Sequence, residues 1–497
     1  MDENLPQEGQ EALVYKNHYT IVVQSILSQM VTIGIIALIG LVSGGGIDFR
    51  STWLMAILAL AAVSVFINIR IWMKTTFTFG STEITVVKDT FFKNVTNIQY
   101  SRLASVNVKK TLINHMFGTT MLLFNVNSSV NSASAEATLT LPDAEADRLR
   151  EFVSARSFQK EMVIEKEKEE ETLVNVSNMD VILHGFFGQP TTSSLIGLAS
   201  LSYSIVTMFI GDGPSIVGLL IFAVSSIVPW IRTILRYYNY RIYRVGDTIT
   251  VESGLINKYR SSFNIKKVNS VRIREPLLAR LLGKSLLEAE VVGLADTEGL
   301  PLLCPLKGKR IVDDLSVKLV PEFVFESGHR TQPKESFIPT ITSKAFWALE
   351  FMIIGIVLFL FINANYPADT WNDLDRYVII TVEAILVIAI PLLFIIHGFL
   401  AHENREFEMG DETFLLITGG YDRQKEYIRF DKTQICRVTS GPIQRRFGVG
   451  RCSISLMSSK GATSIRSGVF PIEELELVGA EVMERIRDGR YDYRRYQ

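Results

Sequence analysis

Hydrophobic and polar positions along the chain form two patterns. Six runs nearly free of charge, at residues 21–42, 53–71, 192–210, 214–231, 345–362 and 377–399, fall into three pairs. Short polar turns at 43–52, 211–213 and 363–376 join each pair. A helix rising 1.5 Å per residue needs about 20 residues to cross a hydrocarbon core of about 30 Å. A soluble surface helix turns polar on one face, and these runs do not. The pattern predicts six membrane-spanning helices arranged as three hairpins. Between hairpins the charge returns and the period shortens to two. Ile84-Thr85-Val86-Val87, Thr248-Ile249-Thr250-Val251 and Phe414-Leu415-Leu416-Ile417 read as strands closed by turn residues. Each polar segment ends on a proline followed by an apolar stripe at helical spacing. The stripes are Leu149, Phe152, Val153 after Pro142; Ile311, Leu315, Leu319 after Pro305; and Leu475, Val478, Val482, Ile486 after Pro471.

These segments repeat with a period of about 165 residues. The first carries Thr78-Phe79-Gly80, Tyr100-Ser101-Arg102-Leu103-Ala104-Ser105-Val106 and Met116-Phe117-Gly118. The second carries Arg244-Val245-Gly246-Asp247, Ile265-Lys266-Lys267-Val268-Asn269-Ser270-Val271 and Leu281-Leu282-Gly283. The third carries Glu408-Met409-Gly410-Asp411, Phe430-Asp431-Lys432-Thr433-Gln434-Ile435-Cys436 and Arg446-Phe447-Gly448. Glycine-to-glycine spacings of 38, 37 and 38 hold the landmarks in register. Each unit reads as a half-open β-barrel or sandwich plugged by one C-terminal helix.

Charge sets the orientation. Of 497 residues, 51 are Lys or Arg and 52 Asp or Glu, so the net charge of −1 is no nucleic-acid footprint. Only Arg50 and Arg376 lie in the hairpin turns, leaving 49 basic residues on the other side or at its boundary. Lys16, Arg70, Lys74, Arg232, Arg236, Arg241, Arg244, Lys344 and Arg405 sit close to helix ends. The positive-inside rule then makes both termini and all the large polar segments cytoplasmic. Asp48, Asp212, Asp369, Asp373 and Asp375 make the outer turns acidic, and the tryptophans fit both headgroup levels. The first run is expected to remain as a helix, because its acidic leader and the Ser43-Gly44-Gly45-Gly46 turn lack the marks of a cleaved signal. Three cysteines, Cys304, Cys436 and Cys452, supply no disulfide framework.

A hairpin followed by Gly-Asp, a basic-apolar-x-Ser-Val strand and a Leu/Phe-Gly corner resembles the bacterial pleckstrin-homology-like membrane proteins of the YdbS/YdbT type. Three tandem units are similar to the YdbT-like members, from about Tyr15 to Arg487. The sequence departs from the family pattern where Tyr15-Lys16-Asn17-His18-Tyr19 lacks a basic-His-Pro lead-in, and where Ile435-Cys436 replaces Ser-Val. The resemblance implies a membrane α-helical fold with three cytoplasmic α+β PH-like domains, each a small antiparallel β-barrel or sandwich with a C-terminal helix. Hairpins then occupy 15–74, 192–236 and 344–402, and PH-like domains 75–160, 237–322 and 403–490. An acidic linker with an interfacial segment fills 161–191, and a second linker 323–343, where Pro333 and Pro339 discourage a helix. The resemblance also implies a cell-membrane address, a smaller YdbS-like membrane subunit as partner, and a link to envelope stress and antimicrobial-peptide tolerance. It implies no catalytic chemistry.

Candidate chemistry is sparse. The six histidines form no metal-spaced pair, and no phosphate-binding or nucleophile motif occurs, so neither cofactor nor metal is expected. Asn94-Val95-Thr96 and Asn175-Val176-Ser177 match the glycosylation sequon, but that chemistry does not operate on the cytoplasmic side. Glu350 and Glu383 fall inside spans, each about 9 Å from opposite surfaces and so about 12 Å apart in depth. A carboxylate there needs a partner or a wet cavity. Either the two mark a polar path or peptide groove, or they bond neighbouring Gln24, Gln29 and Asn68. Arg232, Arg236, Arg241 and Arg244, interleaved with tyrosines directly after a span, are candidates to anchor anionic headgroups at about 1 kcal/mol per cation. Base stacking by the same residues is the rival reading. Two functions follow: a non-enzymatic scaffold binding a sister subunit, itself or lipid, and, as the alternative, transport or lipid and peptide handling through the helix bundle. Parallel rather than inverted repeats favour the scaffold.

Overall fold

The computed structural model describes residues 13–42, 52–90, 92–126, 136–157, 176–210, 216–291, 301–325, 328, 331–366, 373–458 and 461–490. The turns at 43–51 and 211–213, the charged run from Glu165 to Glu171, and Arg50, Asp48, Asp212, Asp369 and Trp371 lie outside them. The chain divides into two compact units. The first is Met1–Glu171 with Thr248–Phe263 and Gly293–Thr297; the second is Thr172–Asp247, Asn264–Val292 and Glu298–Gln497.

The first unit opens with β1 (Leu13–Tyr15), α1 (Thr20–Val42) and α2 (Thr52–Lys74). There follow β2 (Thr75–Phe79), β3 (Glu83–Asp89), β4 (Lys93–Gln99), β5 (Leu103–Lys110), α3 (Leu112–Phe117), β6 (Thr119–Val126), β7 (Ala137–Pro142) and α4 (Asp143–Ser157). Strand alternation buries Phe77, Phe79, Ile84 and Val86 from the sheet β1-β2-β3-β4 against Leu122, Phe124 and Leu139 of β6 and β7. Leu149 and Val153 of α4 complete that core, the sandwich plugged by a helix. Gly118 ends α3 at φ 60°, a left-handed turn in which a side chain would be strained, and Gly283 and Gly448 repeat it at 63° and 65°. β1 lies ahead of the first hairpin and was not legible as a strand: three residues are too few to show a period.

The second unit begins with α5 (Asn178–Phe187), α6 (Thr191–Ile210), α7 (Ile216–Phe222), α8 (Val228–Tyr237) and β8 (Arg241–Val245). The chain returns to the first unit for β9 (Thr248–Ser253) and β10 (Lys258–Asn264), and there the copies cease to be self-contained. β10 pairs with β5, extending the sheet as β7-β6-β5-β10-β9, with Lys258 opposite Lys110 and Arg260 opposite Val108.

Back in the second unit come β11 (Val268–Glu275), α9 (Leu277–Leu281), β12 (Lys284–Val291), β13 (Leu302–Gly308) and α10 (Lys309–Leu319). The third copy follows with α11 (Phe337–Asn365), α12 (Asp373–Ala384), α13 (Ile390–Asn404), β14 (Glu406–Met409), β15 (Thr413–Thr418), β16 (Arg423–Arg429) and β17 (Thr433–Thr439). It closes with α14 (Pro442–Arg446), β18 (Val449–Ser458), β19 (Gly461–Arg466), β20 (Phe470–Pro471) and α15 (Ile472–Arg487). The same exchange recurs: β16 pairs with β11 in the sheet β13-β12-β11-β16-β15-β14, from Glu275 opposite Arg423 to Ser270 opposite Ile428. A shift of 165 positions on both strands carries one junction onto the other. β17, β18 and β19 form the last sheet, and α15 seals the third core with Leu475 and Val478 against Phe414, Phe430 and Ile454.

Among the described residues, three helices are long and apolar enough to cross a membrane: Ile216–Tyr237, Lys334–Asn365 and Arg376–Asn404. The hydropathy pattern predicts six. α1 and α2, 23 residues each, stand where the first hairpin is expected, but neither is among those three. α6 holds eight Ser and Thr in Thr191–Ile210, which lower its apolar character. The three long helices leave most of their apolar side chains exposed, among them Ile353, Val357, Leu360 and Phe361, as a lipid-facing surface does. α11 also corrects the expected linker. It starts at Phe337 with Pro339 in its first turn, where a missing N–H has no helical partner to lose. In the other two spans one widened turn, Ala223–Ile227 or Ile385–Ala389, lies just before Pro229 or Pro391. A proline removes an N–H from the helical ladder, and the widened turn absorbs the break.

Candidate functional site

Polar side chains converge on two kinds of place: the seam between copies and the base of the membrane helices. At the seam in the second unit, Arg272 of β11 lies directly opposite Glu426 of β16, Nη2 to Oε1 2.9 Å, and the Ser270 hydroxyl donates to the same oxygen at 2.9 Å. Both charges are largely out of water, so pairing is what makes their burial tolerable. Burial alone would lower the Arg272 pKa, but Glu426, with Glu288 and Glu290 behind it, outweighs burial and raises it. Arg423 pairs with Glu406 at 2.8 Å, and Lys309 reaches buried Glu275 at 3.2 Å.

The hairpin turn between β15 and β16 docks on α6 and α13. Asp422 accepts from the Thr191 N–H at 3.0 Å, from the Thr191 hydroxyl, and from the Leu277 N–H at 3.3 Å. One carboxylate thus ties the start of α6, the corner after β11 and the third copy together. Tyr421 donates to the Leu393 carbonyl of α13 at 2.5 Å, and Asn404 donates to the Gly420 carbonyl at 3.1 Å. Gly420 is required by space: a Cβ there would sit 2.8 Å from the His397 ring. The first unit has its own tie, in which Asn17 accepts from Trp72 Nε1 through its carbonyl at 2.7 Å and from the Thr140 N–H through its side chain at 2.8 Å.

α5 lies within 161–191, the stretch read as an acidic linker with an interfacial segment. Ser177 and Asp180 form a capping box, and Asp180 pairs with Lys307 at 2.6 Å. Burial would raise the Asp180 pKa, but Lys307 and the Ser177 hydrogen bonds hold it below the usual carboxylate range. His184 is fully enclosed; burial, helped by Arg274, lowers its pKa to about 3.

The residues singled out by sequence separate. Arg232 and Arg241 are exposed, and Arg236 lies 5.5 Å from the Tyr237 ring centre. Arg244 is engaged within the fold by the Leu319 carbonyl at 2.5 Å, the Gly246 carbonyl at 2.8 Å and Glu322 at 2.7 Å. Glu350 is exposed on α11. Glu383 faces Gly355 of α11, 3.6 Å from where a Cβ would stand, and in the first unit Gln29 and Asn68 both reach Ser64. A cluster that the sequence reading did not assemble lies at the base of the third hairpin. Lys344, Arg405 and Arg451 are within electrostatic reach of one another, and the buried Nε atoms of Arg405 and Arg451 have no hydrogen-bond partner among the described residues. Burial, then the neighbouring Arg451, lowers the Arg405 pKa to about 10. Arg451 stands 46 positions after Arg405, across a strand exchange, so no local spacing reveals the cluster.

The bacterial PH domain family model matches the chain three times, over residues 31–157, 193–318 and 355–492. The chain belongs to that family. Each match begins within a hairpin and runs through one copy, so the repeat read from glycine spacing is the family's own module. The UPF0699 transmembrane protein YdbT of Bacillus subtilis (strain 168) is 20% identical over 421 residues, covering 78% of this chain and 80% of the relative. No solved structure matches. With its apolar helices and PH copies, the chain is a membrane protein.

Proposed function

We propose that this chain is a non-enzymatic scaffold of the cell membrane. In this reading six spans in three hairpins carry three PH copies on the cytoplasmic face, beside a smaller YdbS-like subunit, and serve envelope stress or antimicrobial-peptide resistance. The supporting observation is the mechanical one: the hairpin turn at Tyr421 and Asp422 joins membrane helices to a sheet that runs through two copies. PH folds offer sheet edges and loops to partners, although a fold alone does not fix a function. Arg232 and Arg241, with the Lys344, Arg405 and Arg451 cluster, suit anionic headgroups at the inner leaflet. Affinity capture in mild detergent, followed by mass spectrometry of proteins and lipids, tests this. A stoichiometric small PH-like subunit is the expected result; a retained lipid or peptide with no protein partner refutes it.

One observation favours a second reading, transport or lipid and peptide handling. Widened turns before Pro229 and Pro391 recur in the second helix of two hairpins, and Glu383 lies two residues before one of them. Interrupted helices with an intramembrane carboxylate are a recurrent transport device. Replacing Glu383→Gln decides it: peptide tolerance unchanged at normal protein level removes this reading.

A further inference from the structure

The geometry points to head-to-tail β-pairing between two copies of this chain, β17 of one molecule taking β4 of the next. Each internal junction joins the third strand of a later copy to the fourth strand of an earlier one, β10 to β5 and β16 to β11. The first copy's third strand, β4, and the last copy's fourth strand, β17, are left at sheet ends among the described residues. Their exposure differs from that of their internal counterparts. Gln434 and Ile435 are exposed where Asn269 and Ser270 of β11 are buried. Asn97 is exposed and Thr96 half-buried where Tyr427 and Glu426 of β16 are buried.

A second copy is the occupant that this geometry specifies, because it carries the missing strand at the same repeat offset. The shared register, carried outward, places Val438 opposite Val95, Ile435 opposite Ile98 and Thr439 opposite Asn94 of the neighbour. Val95 is 50% and Ile435 53% exposed in the single chain. Edge strands are ordinarily blunted by proline or several charges; β4 and β17 hold no proline and one cation each, Lys93 and Arg437. The two partner surfaces differ, so the contact is heterologous and builds a ring or a row in the membrane plane rather than a two-fold dimer. The inference rests on the scaffold reading only for placing neighbouring PH copies on the same side of the membrane.

Full-length chains bearing Asn94→Cys and Thr439→Cys, each with its own tag, are co-expressed, extracted in mild detergent and oxidised. A band carrying both tags at twice the chain mass is expected, absent from either variant alone. Val95→Lys with Ile435→Lys should reduce that band at least fivefold while amide protection in β2 and β18 stays unchanged. No double-tag band overturns the inference, even if a sister subunit is still captured and the scaffold reading survives. A chain bearing both cysteines that links within itself at monomer mass overturns it too, as does linkage only to a different protein.

Discussion

Glu426→Gln should loosen the seam between the second and third copies. The substitution keeps the side chain's shape and leaves an oxygen for the Ser270 hydroxyl, but removes the charge opposite Arg272. Stranding one member of a buried ion pair costs about 3–5 kcal/mol. The cost here belongs at the lower end, because Glu288 and Glu290 still act on Arg272. About 3 kcal/mol corresponds to roughly a hundredfold rise in opening of the paired strands. Hydrogen exchange in detergent reads this directly at β11 and β16, with β18 and β19 as an internal reference. Protection at the seam unchanged within a factor of three would refute the argument. A second check is Arg272→Met with Glu426→Leu, which removes both charges and should recover most of the lost protection.

His184 is neutral in the fold, with a pKa near 3 against an ordinary 6.5. The unfolded state therefore binds the extra proton between those values, and stability falls as pH drops below 6.5, by up to about 1.4 kcal/mol per unit. His184→Gln should flatten this dependence, read as α5 amide protection from pH 7 to 5. Asp422→Asn should weaken the tie to α6 by about 1.5–3 kcal/mol, since it turns charge-assisted bonds into neutral ones, and exchange of the Thr191 and Leu277 amides checks it. Arg405→Gln with Arg451→Gln should lower the amount of co-purifying anionic lipid, measured by native mass spectrometry; equal retention removes the cluster from headgroup binding.

The three long apolar helices, the three copies and the closing helices were legible because each is written in local periodicity. The glycine landmarks were legible for a conformational reason, as Gly118, Gly283 and Gly448 all take left-handed turns. The strand exchange was not. Nothing near Ser270 announces that its neighbour will be Ile428, since register between distant strands is set by packing rather than by local pattern. The ionic seam was hidden for the same reason: Arg272 and Glu426 each look like an ordinary alternating polar residue until the strands meet. The tyrosine-interleaved arginines looked like one anchor by spacing, yet a strand begins at Arg241 and turns Arg244 toward Glu322. Proline at 339 misled because a first turn and a linker share the same tolerance for it.

The exchanged strands also impose an order on synthesis. Ser270 of β11 and its partner Glu426 are 156 residues apart, and the third hairpin is made between them. At about 5–20 residues per second, β11 leaves the ribosome about 8–30 s before its partner exists. During that interval a half-built sheet must stay soluble while two membrane helices are being delivered. The third copy therefore acts as the maturation step of the second, and a chain truncated after α10 would expose β11 indefinitely.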